Sequence, residues 1–382
     1  MNKNKIFWLI AVLFAAFSFV SCEDESGSGD GTDDGYGYDF SNIIKTYVDN
    51  VVVATYTDMK DRATDLYDAV VVYEEEQMQD NLNAVCAAWR AMRIPWEQSE
   101  GFLFGPADLL NLDPSLDSWP LDKGSIDRIL NSNLEITSDA ISSSNVHGFH
   151  AIEYLIFAEG DPKTTILTDR EIQYLVAATE YLRLDTYQLW ANWVGQDDID
   201  DDIVLEVFEE EEIEAKYNFA ENFKNAGKAG STFKFQDDAI DQIVEGCTTI
   251  ADEVGAQKIG GPNGLAIAGN KEQAVLEVES WYSWNSIEDY ANNIVSIRNS
   301  YFGGRGLTAG NPSANSLSAF VKSKNTALDT EITNAIEKAY NAIAEGMDRP
   351  FRNNLTGQKV EDAKDACAEL VLIFEKIKTL KD

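Results

Sequence analysis

The chain has 382 residues, 66 of them acidic against 30 basic, for a net charge of −36. That balance excludes a nucleic-acid binder, whose phosphate contacts need clustered Lys and Arg, and it disfavours docking on anionic lipid without an anchor. With 44% hydrophobic and 11% aromatic residues, the chain carries enough apolar surface for a packed core.

At the N-terminus, Lys3 and Lys5 precede an apolar stretch from Ile6 to Val20. It has signal-peptide length and is too short for a comfortable membrane span. It ends in Phe19-Val20-Ser21-Cys22, a small residue before a cysteine, which is the pattern of a bacterial lipoprotein cleavage site. Residues 1–21 are therefore expected to be removed and Cys22 to be acylated, tying the protein to a membrane. Residues 22–40, rich in Gly, Ser and acid, read as a flexible tether. The processed chain would hold 28 basic and 66 acidic residues, a net charge of −38. The expected location is the bacterial cell envelope, lipid-anchored at the outer membrane, on its periplasmic side or at the surface.

Beyond the tether the pattern is helical almost throughout. Ser41 is a suitable cap, and Ile44, Tyr47, Val48, Val51 and Val52 recur at helical spacing, predicting a long helix to about Tyr73. The β-branched runs at 51–53 and 70–72 lie inside that period without turn residues, so helix is retained. A second helix is predicted from about Gln77 to Phe104, kinked at Pro95 and stopped at Gly105-Pro106. Residues 107–124 carry two further prolines and several Asp and read as an ordered loop. Ser125 is expected to cap a third helix reaching Ile141. A helix over about 145–157 carries both histidines of the chain, His147 and His150. Thr168, with Glu171 placed for a capping box, opens a long helix to about Val194.

An acidic turn at 195–202 leads to helical pieces up to Asn225. Helices are then predicted over about 237–257, 272–301, 325–345 and 359–380, with Gly-rich pieces at 260–269 and 303–310 between them. Alternating strand patterns are essentially absent. The expected fold is all-α: two antiparallel helical-bundle lobes, 41–200 and 201–382, packed side by side with a cleft between them. Cys86, Cys247 and Cys367 are widely spaced in apolar helical contexts. No Cys-x-x-Cys pair exists, so a thiolate zinc site is excluded and buried free thiols are expected.

Chemistry concentrates around the histidines. On a helix, residues three apart share a face, so His150 and Glu153 are expected to project together into an opening between the lobes. An imidazole beside a carboxylate is a metal-ligand pair or an acid/base pair. His147 and Glu153 spread over about 120° of helix surface and converge poorly. With no further histidine and no helpful cysteine, the remaining ligands must be carboxylates or water, a set that suits iron, manganese or zinc. Glu100, flanked by apolar and aromatic residues in Trp96 to Pro106, is a second candidate, since burial would perturb it unless a cation compensates. Arg298 reads as a capping or salt-bridging arginine. Neither a Gly-x-Ser-x-Gly elbow nor a phosphate loop is present in the sequence.

Taken in order, these segments resemble the imelysin-like proteins. Gly148-Phe-His150-Ala-Ile-Glu153 resembles their Gly-x-His-x-x-Glu signature. Trp96 to Pro106 with Asp108, Ser118-Trp119-Pro120, and Ile297-Arg298-Asn-Ser-Tyr301-Phe-Gly303 are similar to their accompanying elements. The likeness runs from about residue 40 to 380. It implies an all-helical, two-lobed fold with a cleft, and an envelope location that is often lipid-anchored. That family takes its name from an insulin-cleaving protease and is classed among metallopeptidases, while related periplasmic proteins act in iron acquisition. Carried over, His150 and Glu153 match the signature, Glu100 and Arg298 match the partner segments, and His147 lies outside it. Three functions follow as alternatives: a lipoprotein binding iron, zinc or a metal-bearing ligand for a metal-uptake transporter or receptor; a metallopeptidase using Glu153 catalytically; or a non-catalytic scaffold or adhesion protein.

Overall fold

A computed structural model describes residues 37–381. The expected signal peptide, the acylated Cys22 and the tether up to residue 36 lie outside the described residues. Packing starts at once: Phe40 is buried, its ring 4.9 Å from those of both Tyr38 and Phe320.

The first helix runs through Ser41–Tyr47, a π-helical segment at Val48–Val53 and Ala54–Glu75. Its buried residues, Ile44, Val48, Val51, Thr55, Met59, Ala63, Leu66, Val70 and Tyr73, recur every three or four positions. That stripe explains why a β-branched run stays helical: packing of one face overrides local propensity. The helices Gln79–Glu97 and Asp169–Val194 both pack on Ala54–Glu75. The latter opens with the expected capping box of Thr168 and Glu171. In the C-terminal half, Gln236–Asp252 and Thr326–Asn341 pack on Gln358–Phe374. The halves meet where Ser286–Phe302 lies on Gln79–Glu97, and where Gln236–Asp252 lies on the Glu100–Phe102 turn. From residue 37 onward the chain is all-α; among the described residues the strands are the two-residue pair Phe157–Ala158 and Asp161–Pro162.

Four expected boundaries move. The third helix is only Lys123–Leu130, capped by Asp122, whose side chain accepts from the Ser125 amide. The histidine helix begins at Phe149, after a 3₁₀ turn at Ser144–Val146. The Gly-rich 260–269 piece is largely helical, Gly260–Ile267 continuing from Glu253–Ile259. Finally, the predicted helix 272–301 is broken: Lys271–Leu276 ends, and Ser286–Phe302 starts only after an irregular turn. In that turn Ser280 and Trp284 hold positive φ of 51° and 60°, a conformation costly for residues with a side chain. All three described cysteines are free and buried, and burial pushes each thiol up to about 12.

Candidate metal centre

Gly148 turns the chain into the histidine helix with φ +78°. A Cβ there would stand 2.4 Å from the Leu116 carbonyl oxygen. Glycine therefore lets the segment ending at Leu116 lie against the helix start, and this close approach delivers the next residue, Asp117, to His150.

The His150 and Glu153 side chains face each other, with Nδ1 2.9 Å from Oε2. The remaining oxygen, Glu153 Oε1, accepts from the Ser283 amide at 2.8 Å and the Ser283 hydroxyl at 2.7 Å. Both carboxylate oxygens are thereby committed. Glu153 orients the imidazole instead of offering a ligand atom beside it, the arrangement of a carboxylate behind a metal-bound histidine. In the tautomer that gives the Nδ1 proton to Glu153, the Nε2 lone pair points the other way. Nε2 lies 3.0 Å from Asp117 Oδ1 and 3.9 Å from Glu279 Oε1, and it is buried without an aligned hydrogen bond. The expected opening is corrected here. Both side chains are 0% exposed, because the Glu279–Asn285 turn closes over them at the seam between the halves.

Around this pair the protein buries an excess of acid. Glu97, Glu100, Asp117, Glu153, Glu279 and Asp289 all have side chains no more than 7% exposed. Two permanent cations answer them. Arg93 reaches Asp117 at 2.6 Å, Glu279 at 2.7 Å and Asp289 at 3.1 Å, and also touches Glu97. Lys258 Nζ lies 3.2 Å from Glu279 and 3.3 Å from Glu100. Trp96 donates its indole N–H to Asp117 at 2.5 Å, and Asn293 donates to Glu97 at 2.5 Å. A buried carboxylate surplus must be met by protons or by a bound cation, since uncompensated charge is too costly away from water.

The titration behaviour shows the same imbalance. Burial raises Glu97, Glu100 and Asp289 above the usual carboxylate range, even beside Arg93 or Lys258. Burial, and then the neighbouring Asp117, pushes half-buried Asp113 up to about 6. Burial also works against Asp117 and Glu279, yet Arg93 and His150 beside the first, and Lys258 and Arg93 beside the second, hold both below their ordinary values. His150 is disfavoured as a cation by burial, but Asp117 and then Glu153 outweigh this and raise it to about 9.

Among the described residues, three sets of donor atoms each lie within 4.8 Å of one another: Asp117–His150–Glu279, Glu97–Glu100–Asp117 and Glu97–Glu279–Asp289. Arg93 spans the third and also reaches Asp117 and Glu279 of the first, and Lys258 serves the second and touches Glu279. The first contains the imidazole nitrogen with two carboxylates, three protein ligands of the kind that leave further positions for water or substrate. The donor set therefore fits iron, manganese or zinc.

The sequence-derived candidates divide. Glu100 is brought to the cluster, but it joins His150 only through the shared Asp117. Arg298 is placed elsewhere: its guanidinium pairs with Glu337 at 2.9 and 2.8 Å and lies 4.3 Å over Tyr340. His147 is also separate, with Nε2 2.9 Å from Ser115 Oγ, Nδ1 2.8 Å from the Ile141 carbonyl and its ring on Tyr181. Sequence reasoning missed Arg93, Asp117, Lys258, Glu279, Ser283 and Asp289. A signal existed for one group. Glu279-Ser-Trp-Tyr-Ser-Trp-Asn-Ser286 has serines and asparagine where a helix wants a continuous apolar stripe, and so reads as a break.

The fold and site together define an all-α protein with a buried histidine–carboxylate centre between its halves. Residues 52–377 match the imelysin (peptidase M75) family, and the chain belongs to that family. It is 31% identical over 272 residues to iron-regulated protein A of Synechococcus elongatus, covering 71% of this chain and 67% of that one. A crystal structure from Parabacteroides distasonis, assigned as an iron-regulated protein A precursor, is similar with a TM-score of 0.81 and 36% identity, over 90% of this chain and 95% of that one. An imelysin-like protein from Psychrobacter arcticum shares the fold, with a TM-score of 0.62 at 15% identity over 87% of this chain and 93% of that one.

Proposed function

We propose that this protein is an envelope lipoprotein that binds a metal ion, iron foremost, in metal acquisition. His150 Nε2, Asp117 and Glu279 would hold the ion, and Glu153 and Ser283 would orient the imidazole. The observation that carries this reading is the carboxylate surplus packed around an imidazole nitrogen that lacks an aligned partner. A bound cation would supply the positive charge that Arg93 and Lys258 leave short. The names of the similar proteins connect them to iron regulation, and a set of one nitrogen and carboxylate oxygens suits iron. Acylated Cys22 would hold the chain at the membrane beside a metal-uptake transporter or receptor. Burial of the centre supports ion binding over peptide cleavage, because a scissile bond would have to reach side chains that are 0% exposed. Calorimetric titration of the untagged protein with ferrous and zinc ions tests the reading. Uptake of an ion by the wild type and its loss in His150→Ala is expected; a wild type that takes up no metal would overturn it.

A further inference from the structure

The irregular turn before Ser286 is the wall between the buried centre and an open cavity of about 650 Å³. Ser283 donates to Glu153 on the inner side, and the same residue lines the cavity on the outer side. Asp289 also belongs to both. It lines the cavity, and its carboxylate is one of the donor set with Glu97 and Glu279. Glu279 in turn belongs to the donor set of His150. Carboxylate oxygens therefore run in short steps from the cavity wall to the imidazole. At the outer rim, Glu288 is 47% exposed but forms an ion pair with Arg349, which also lines the cavity, and half-buried Asn292 stands beside it. The wall itself is pinned. Arg90 donates to the Ser283 carbonyl at 2.7 Å, to Asn285 at 2.7 Å and to the Gly160 carbonyl at 2.9 Å. Trp284 packs flush on Gly160, where a Cβ would lie 2.5 Å from its ring.

We infer that this cavity is the port through which a hydrated divalent cation reaches and leaves the His150 centre. Asp289 is 1% exposed and bound by Arg93 and Asn285, so it receives the ion from the cavity by giving up those partners, and Glu279 passes it inward. The inference rests on the metal-binding reading above. A pinned wall favours transfer from carboxylate to carboxylate over a swinging turn. Arg93 bridges Asp289 and Glu279, so a fixed positive charge lies across the step and slows passage in both directions.

Ile94 offers the test, because it lines the cavity, is 44% exposed and contributes no polar donor. Cobalt(II) binding to the full protein is followed by stopped-flow tryptophan fluorescence; Trp119 lies edge-on to His150 at 4.7 Å and Trp96 donates to Asp117. Ile94→Trp narrows the port and is expected to slow association and dissociation about tenfold each, with Kd moving less than about twofold. At low ionic strength Ile94→Lys slows association and Ile94→Glu speeds it. Wild-type rates in all three variants, at wild-type Kd, would overturn the port alone. A wild type that binds no cobalt overturns the metal reading and the port with it.

Discussion

His147 and His150 are three residues apart, yet one lies among carbonyl and hydroxyl groups and the other among carboxylates. The Ile141 carbonyl, Ser115 and the Tyr181 ring surround His147, and burial lowers its pKa. Its hydroxyl partner Ser115 also bonds Asp185, which burial pushes up to about 7. His150 sits against Asp117 and Glu153 and is raised to about 9. Burial is common to both rings, so it cannot separate them. The sign of the nearby charge does. A carboxylate-rich pocket holds a cation, whether a proton on the imidazole or a metal in its place, while a pocket of neutral acceptors holds a structural, neutral ring.

The largest effect expected from breaking this contrast is on stability. Arg93→Met removes the cation shared by Asp117, Glu279, Asp289 and Glu97, and should cost about 3–5 kcal/mol in urea unfolding, because it strands buried carboxylates. Next comes metal affinity. His150→Ala should weaken binding by more than about a hundredfold in calorimetry, whereas His147→Ala should leave affinity within about twofold and cost about 1–2 kcal/mol of stability through lost hydrogen bonds. Glu153→Gln sharpens the distinction between ligand and orienting group. Affinity should fall roughly 10–100-fold without vanishing; complete loss would make Glu153 a ligand.

The two rings should also respond oppositely to pH in the metal-free protein. His150 is raised on folding, so its ion pairs contribute fully below about pH 6.5 and that contribution is lost as pH climbs through about 9. His147 is lowered, so its contribution is present above about pH 6.5 and lost as pH falls below it. Urea unfolding of His150→Gln and His147→Gln across about pH 5 to about pH 10 reads both trends. The smallest effect is expected at Arg298. Its partner Glu337 is 41% exposed, and Arg298→Ala should cost less than about 1 kcal/mol and leave metal affinity unchanged.

The all-helical pattern was legible because a three-to-four-residue apolar stripe is written locally, as in Ile44 to Tyr73. The pairing of His150 with Glu153 was legible for the same reason: both lie on one face of one helix. What that face meets was not. Asp117 reaches His150 through the glycine-dependent approach of Leu116 to Gly148, and Glu279 through a break in a segment whose apolar content reads as helix. Arg298 reads from the sequence as a capping or salt-bridging arginine, and it does form an ion pair; which acid it meets, Glu337 on another helix, was not legible. Charge surplus was visible in composition, yet only tertiary packing could show that part of it is buried.

The most direct measurement is anomalous diffraction from crystals soaked in ferrous or zinc salt. A peak within bonding distance of His150 Nε2, Asp117 and Glu279 is the expected result. No peak there, or occupancy confined to exposed surface carboxylates such as those of Glu209 to Glu212, would contradict the account.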